Sequence, residues 1–293
     1  MDSYSARAYA KLNLCLDITG KRPDGYHLLE TIMQSISVYD TISVCLTQSG
    51  GIQLCCSRPE LPCGKENTAI RAALTFFSQH SELSDNIEIS LIKRIPQQAG
   101  MGGGSADAAA VLHILNKIFK TNHSIDELCG MGLEIGADVP FCIKGGTMLA
   151  NGIGEILTPL TPLPDCYFVI CKPAVGISTG KAFLEADRRS FRHPDINKME
   201  KAICDNDLSG ICDHLFNVFE ELLSLEIIER IRKRLLEEGA QGACMTGSGS
   251  AVFGVFQEEH CAKQCYEKLS SEYDEVFLCK PVRSGSELVK NNI

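Results

Sequence analysis

Between residues 96 and 107 the chain reads Pro-Gln-Gln-Ala-Gly-Met-Gly-Gly-Gly-Ser-Ala-Asp, with four glycines in the five positions Gly100 to Gly104. Glycine at that density strips one turn of side chains and opens backbone conformations closed to other residues. Upstream, Ile87, Ile89 and Leu91 alternate at period two and predict a strand over 87–95. Downstream, small apolar residues predict a helix from Ser105 to Phe119. A strand, a glycine turn and a helix start in that order gather unpaired N–H groups and the positive helix end at one point, which suits a phosphate. A merely tight turn needs one or two glycines. The run is not a Walker A loop, because G-x-x-x-x-G-K-[ST] occurs nowhere in the chain. It is not a dinucleotide fingerprint either, because Ser105 stands where the third glycine belongs.

A chain of 293 residues has room for two domains sharing a cleft. Its 44% hydrophobic and 22% charged residues are ordinary globular usage, which makes disorder, collagen and coiled coil poor explanations. Lys plus Arg number 28 against 37 Asp plus Glu, and the net charge of −9 disfavours nucleic acid and anionic membranes as partners. It says little about a small phosphate compound gripped by amides. Fifteen cysteines, an odd number with no C-x-x-C pair, argue against zinc and predict buried free thiols in a reducing, cytoplasmic compartment. Met1 to Ala10 contains Asp2 and Arg7 and no apolar core, unlike a signal peptide. No run approaches the roughly 18 apolar residues of a membrane helix.

Leu12, Leu14, Leu16 and Ile18 predict a first strand over 9–18, followed by a turn at Pro23-Asp24-Gly25 and a strand over 36–46. A helix is expected over 67–80. Another begins at Ser124, with Glu127 at capping-box spacing, and stops near Gly136. Ala137-Asp138-Val139-Pro140 should then be an exposed loop, since a residue before proline is pushed out of helical geometry. Three prolines between Thr158 and Pro164 mark a boundary between residues 1–157 and 158–293. Beyond it come a buried strand over 167–171, one or two helices over 208–238, a strand, glycine turn and strand over 243–256, a helix over 260–269 and a strand over 276–282. Residues 284–293 read as a frayed tail. Helices layered on sheet give an α+β class.

Two further features could carry chemistry. Lys11 and Asn13 share one face of the first strand while Leu12 and Leu14 take the other; a lone strand lysine is ordinarily a snorkelling surface residue. Thr246-Gly247-Ser248-Gly249-Ser250 reads equally as a plain turn or a ligand contact.

Taken in order, Ala-Lys-Leu-Asn at 10–13, Pro-Asp-Gly-Tyr-His at 23–27, the glycine run, Gly-Ala-Asp-Val-Pro at 136–140 and Thr-Gly-Ser-Gly-Ser at 246–250 resemble the GHMP family of small-molecule kinases. The likeness runs from Ala10 to about Pro281. The segment at 23–27 is similar to the branch that phosphorylates an alcohol carried on cytidine diphosphate, on the non-mevalonate route to isoprenoid precursors. The resemblance implies a two-domain GHMP kinase fold, with an N-terminal domain like the second domain of ribosomal protein S5 and a ferredoxin-like C-terminal domain. ATP, with Mg²⁺, and a small cytidine diphosphate substrate would meet between them, and the γ-phosphate would pass to a tertiary hydroxyl.

The resemblance further implies that Lys11 and Asp138 are catalytic. ATP would be held by Pro96, Gly100, Met101, Gly102, Gly103, Gly104, Ser105 and Ala106, with Asn67 and Lys93 near the adenosine. Substrate would contact Asn13, Tyr26, His27 and Phe183, with Gly247, Ser248 and Gly249 beside it. The chain departs from the family's usual Gly-Leu-Gly-Ser-Ser. Met101 replaces Leu, Gly103 and Gly104 lengthen the loop, and Ala106 stands where a second hydroxyl is common, leaving Ser105 as the hydroxyl for magnesium-bound ATP. Other acceptors within the family, namely homoserine, mevalonate or a sugar, are disfavoured by the segment at 23–27. A nucleotide sensor without catalysis is disfavoured by the joint presence of Lys11 and Asp138.

Overall fold

A computed structural model describes residues 3–289. Its frame is a long antiparallel hairpin, β1 (Ser3–Lys21) with β2 (His27–Leu46). Both strands are about twice the predicted length. Ala6 and Ala8 continue the buried parity of Leu12 to Ile18 but as alanines signal it weakly, and Cys15 and Asp17 are buried out of phase. Register shifts at Tyr9/Ala10, Asn13/Cys15 and Ile18/Gly20 bend this ribbon. After β3 (Ile52–Cys56), α1 (Thr68–Gln79) starts at the Asn67 cap, whose Oδ1 accepts from Ala69 N at 2.9 Å. Then follow β4 (Ile87–Ile92), α2 (Gly103–Phe119), α3 (Ile125–Ile135), α4 (Val139–Lys144), β5 (Thr147–Asn151) and β6 (Ile156–Pro159). The predicted capping box is present, with both Ser124–Glu127 bonds formed. The sheet runs β1-β2-β4-β3, and β5 and β6 extend it from β2. Alanines along α2 let that helix lie close on β1 and β2, and its face from Ala106 to Leu112 is fully buried.

Two expectations fail here. Residues 137–140 are not an exposed loop, because α4 begins at Val139 with Pro140 in its first turn. A first-turn proline loses no hydrogen bond, and burying Val139, Phe141, Cys142 and Ile143 outweighs the local preference against helix before proline. Nor are all of residues 284–293 a frayed tail. Ser286 to Val289 form a strand antiparallel to β1, pinned by Tyr9 Oη donating to Glu287 at 2.7 Å, while residues 290–293 lie outside the described part.

In the second half come β7 (Tyr167–Lys172), α5 (Thr179–Ala186), α6 (Ile196–Cys204), α7 (Leu208–Asp213), the two-residue β8 (Phe216–Asn217), α8 (Val218–Leu223) and α9 (Glu226–Glu237). They are followed by β9 (Gly242–Met245), β10 (Val252–Phe256), α10 (Glu259–Ser270), β11 (Glu275–Cys279) and finally β12 (Ser286–Val289). The sheet order β11-β7-β10-β9, all antiparallel, with α9 and α10 packed on it, is ferredoxin-like. The whole is an α+β fold of two sheets. A division after residue 157 falls inside β6, and both β8 and β12 pair with β1. All fifteen cysteines are free, but burial is not general: Cys55, Cys63 and Cys204 are exposed because they sit on an outer edge strand, a loop and a helix end. Among the described residues no helix is long and apolar enough to cross a membrane.

Candidate active site

One cleft of about 1090 Å³ lies where the two sheets meet, and it gathers nearly every residue singled out from the sequence. Ala106 is the exception. It lies fully buried in the first turn of α2 and does not line the cleft. Met101 reaches the cleft at its edge but is only 1% exposed, so its side chain anchors the loop to the core.

The glycine run turns through left-handed backbone at Gly100 (φ 72°) and Gly102 (φ 71°), and Gly102 is the N-cap of α2, which begins two residues earlier than expected. The first amides of α2 therefore open toward the cleft. The second glycine turn packs directly on the first. Ser250 N donates to Gln98 O at 3.2 Å and Ala251 N to Ala99 O at 3.3 Å, while a Cβ on Gly100 would stand 2.0 Å from Thr246 O. Asn217, which sequence reading missed, holds that second turn by donating Nδ2 to Met245 O at 2.7 Å and Gly247 O at 2.8 Å. An asparagine capping a short helix carries no local mark of such a role.

Beside the loop, Lys11 is buried with only 5% of its side chain exposed. Its Nζ donates to Asn13 Oδ1 at 2.6 Å and stands 3.7 Å from Asp138 Oδ2. Asn13 is fixed in turn. Its Nδ2 donates to Thr31 Oγ1 at 2.8 Å, Thr31 donates to Cys15 O at 2.7 Å, and its own N–H reaches Thr246 Oγ1 at 2.9 Å. Thr31 and Thr246 are further residues that no motif pointed to. Asp138 precedes α4 without capping it, so its carboxylate faces Lys11 and is 39% exposed to the cleft. A lysine held this way gains little by leaving, because its ammonium would lose both the amide oxygen and the nearby opposite charge.

For the two residues expected near the adenosine the structure adds detail. Asn67 already spends Oδ1 on the α1 cap and Nδ2 on Pro62 O at 2.8 Å. Lys93 is locked between Asp40 and Asp107, the latter at 2.7 Å, and Asp40 also accepts Ile95 N at 2.9 Å. Burial pushes the Asp107 carboxyl up to about 8, against the pull of Lys93. This buried triad braces the base of the glycine loop, and Lys93 Nζ lies 3.4 Å from where a Gly103 Cβ would be.

At the far end of the cleft Tyr26 is 60% exposed on the β1–β2 turn. The rings of His27 and Phe183 stack at 4.8 Å and 20°. No group of three or more His, Cys, Asp or Glu among the described residues is placed to hold a metal ion.

Residues 67–146 match the model of the GHMP kinases N terminal domain and residues 188–275 that of GHMP kinases C terminal. A 4-diphosphocytidyl-2-C-methyl-D-erythritol kinase of Clostridium novyi (strain NT) is 40% identical over 279 residues, covering 94% of this chain and 99% of its own. One from Lachnoclostridium phytofermentans is 43% identical over 270 residues, covering 91% and 92%. A crystal structure of 4-(cytidine 5'-diphospho)-2C-methyl-D-erythritol kinase aligns with a TM-score of 0.80 at 30% identity, over 94% of this chain and 98% of that one. Homoserine kinase from Cytophaga hutchinsonii reaches the same TM-score at 18% identity, over 99% and 98%, and so shares the fold. With its two glycine turns joined across one cleft and relatives that match over nearly their whole length, the chain belongs to the GHMP kinase family, in the branch of the 4-diphosphocytidyl-2-C-methyl-D-erythritol kinases.

Proposed function

We propose that the cleft transfers the γ-phosphoryl group of ATP to the 2-hydroxyl of 4-diphosphocytidyl-2-C-methyl-D-erythritol, giving the 2-phosphate and ADP. The observation that carries this reading is the Lys11–Asp138 pair, set between the amide-rich loop and the aromatic end of one continuous cleft. Loop amides at Gly102 to Ser105 receive the triphosphate. The substrate hydroxyl sits against Asp138, its oxygen attacks the γ-phosphorus, and the bond from that phosphorus to the β-bridging oxygen breaks. Asp138 orients the hydroxyl and takes its proton as the new P–O bond forms, then releases it to solvent through its exposed side. Lys11, dry and already oriented by Asn13, offsets the charge that builds on the attacking and transferred oxygens. Tyr26, His27 and Phe183 engage the cytidine.

Magnesium fits as part of the nucleotide, entering with the triphosphate at the loop amides and the Ser105 hydroxyl. Bound to ATP it would neutralise β- and γ-phosphate charge, and Ser105 Oγ at the start of α2 would add to its shell. In this reading residues 1–157 supply the glycine loop, Lys11 and Asp138, and residues 158–293 supply Phe183 and the second glycine turn. Free cysteines throughout fit a reducing cytoplasm. The test is a coupled ADP-release assay with the cytidine-linked substrate beside homoserine, mevalonate and hexoses. Turnover confined to the cytidine-linked alcohol is expected, and an equal or higher kcat/KM with any competitor overturns the assignment.

A further inference from the structure

Asp187 has no place in the reading of the sequence, yet it touches the cleft at a telling point. It caps the end of α5 four residues after Phe183, so the two project from one side of the helix. Phe183 takes the face of the His27 ring, and Asp187 takes its edge, Oδ1 to Nε2 at 2.9 Å. The second carboxylate oxygen accepts from Lys21 Nζ at 2.6 Å. Lys21 and His27 are cross-strand partners where β1 and β2 meet the turn that carries Tyr26. One carboxylate from the second half of the chain therefore ties both legs of the first-half hairpin. Lys21 first and His27 second hold the Asp187 carboxyl below the usual range.

An ionised carboxylate only accepts, so in a neutral imidazole the hydrogen must sit on Nε2 and Nδ1 keeps its lone pair. No described group bonds His27 Nδ1. It is not among the buried orphaned atoms, and His27 lines the cleft, so this acceptor is open to a ligand. Cytosine and uracil differ at two adjacent edge positions: position 4 carries an amino donor in cytosine and a carbonyl acceptor in uracil, and N3 accepts in cytosine but donates in uracil. An acceptor in the protein set against position 4 pairs with the amine and meets the carbonyl lone pair to lone pair.

We infer that Asp187 is a positioning residue that sets the tautomer of His27 and thereby makes the cleft select a cytidine over a uridine diphosphate substrate. The inference rests on the proposed function and adds to it the device that chooses the base. Asp187→Asn tests it with almost no change of shape. The Lys21 ammonium donates only, so it claims the Asn carbonyl. The Asn amino group then faces His27 Nε2, which must accept, and the ring hydrogen moves to Nδ1. A comparable Asp-to-Asn change at a histidine is known to trap the wrong tautomer.

Two measurements are made at pH 8.5, where imidazoles are neutral, on the full chain after urea unfolding shows that the variant is folded. Nitrogen-15 NMR of His27 should show the hydrogen on Nε2 in the parent and on Nδ1 in Asp187→Asn. Steady-state kinetics should show a raised KM for the cytidine-linked substrate with kcat and the KM for ATP little changed, and improved use of the uridine-linked analogue. Losing one hydrogen bond to cytosine and gaining one to uracil, at roughly tenfold each, lowers the cytidine-to-uridine kcat/KM ratio ~10²-fold. An unchanged ratio, or a parent ring already protonated on Nδ1, overturns the inference alone. A parent with the expected tautomer that phosphorylates neither pyrimidine substrate overturns it together with the proposed function.

Discussion

Replacing Gly100 with alanine probes the junction on which the cleft depends. The new Cβ would lie 2.0 Å from Thr246 O, 2.9 Å from Thr246 C and 3.1 Å from Gly249 N. Carbon atoms of this kind do not approach within 3.0 Å, so the two glycine turns must separate by about 1 Å. The obstacle is backbone, held by Asn217 and by the Ser250 and Ala251 amides, and has no rotamer through which to yield. A non-glycine residue at this φ costs ~1–2 kcal/mol, and overpacking adds ~1–3 kcal/mol. The sum, about 2–5 kcal/mol, is a sizeable part of the 5–15 kcal/mol that typically stabilises a protein. A displacement of about 1 Å at a positioning loop also costs on the order of 10²-fold in rate. Urea unfolding gives the first quantity and coupled ADP release the second. Gly130→Ala is the matched control, since it lies in α3 with nothing within 4 Å of its Cβ and should stabilise by roughly 0.5–1 kcal/mol. If Gly100→Ala unfolds within 0.5 kcal/mol of the parent, roughly the scatter of a neutral surface substitution, and keeps its rate, the coupling of the two turns is refuted.

Other outcomes follow from single sites. Asp138→Asn should lower kcat ~10²–10⁴-fold while leaving the KM for ATP near the parent value; near-normal turnover in the ADP-release assay removes Asp138 from the chemistry. Burial holds the His113 imidazole below its ordinary range, with Nδ1 bonded to Ser286 at 3.0 Å and Nε2 unpartnered. A histidine depressed in the folded state takes up its proton on unfolding, so its stability contribution is present above the ordinary imidazole range and is lost as pH falls through it, by at most about 1.4 kcal/mol per unit. Urea unfolding between pH 5 and 8 should thus be less pH-dependent in His113→Leu than in the parent, and parallel curves would contradict the assignment. Thiol titration of the native protein should label Cys55, Cys63 and Cys204 quickly and leave buried thiols such as Cys142, Cys244 and Cys279 unreacted until denaturant is added.

Much of the site was legible because its signals are local. Four glycines in five positions, the Asn67 cap and the Ser124–Glu127 box act through backbone groups within a few residues of themselves, so spacing alone exposes them. Lys11 and Asn13 were placed on one face by strand alternation, and their 2.6 Å bond follows from that spacing. Where local preference met burial, burial prevailed. The residue before Pro140 is helical because the apolar face of α4 needs the core, and Ser286 to Val289 become a strand because β1 has a free edge there.

What no stretch of sequence displayed is the set of contacts between distant positions. Lys93, expected near the adenosine, lines the cleft and is held by Asp40, 53 residues before it. Thr246 reaches Asn13 over 233 residues, and Asp187 reaches His27 over 160. The sequence by itself determined the family, the glycine turns, the helix caps and the candidates for the reacting pair. The tertiary structure decided which side chains are held, which are free and which face a ligand, because those depend on sheet register and on the side chains that close packing brings together from far along the chain.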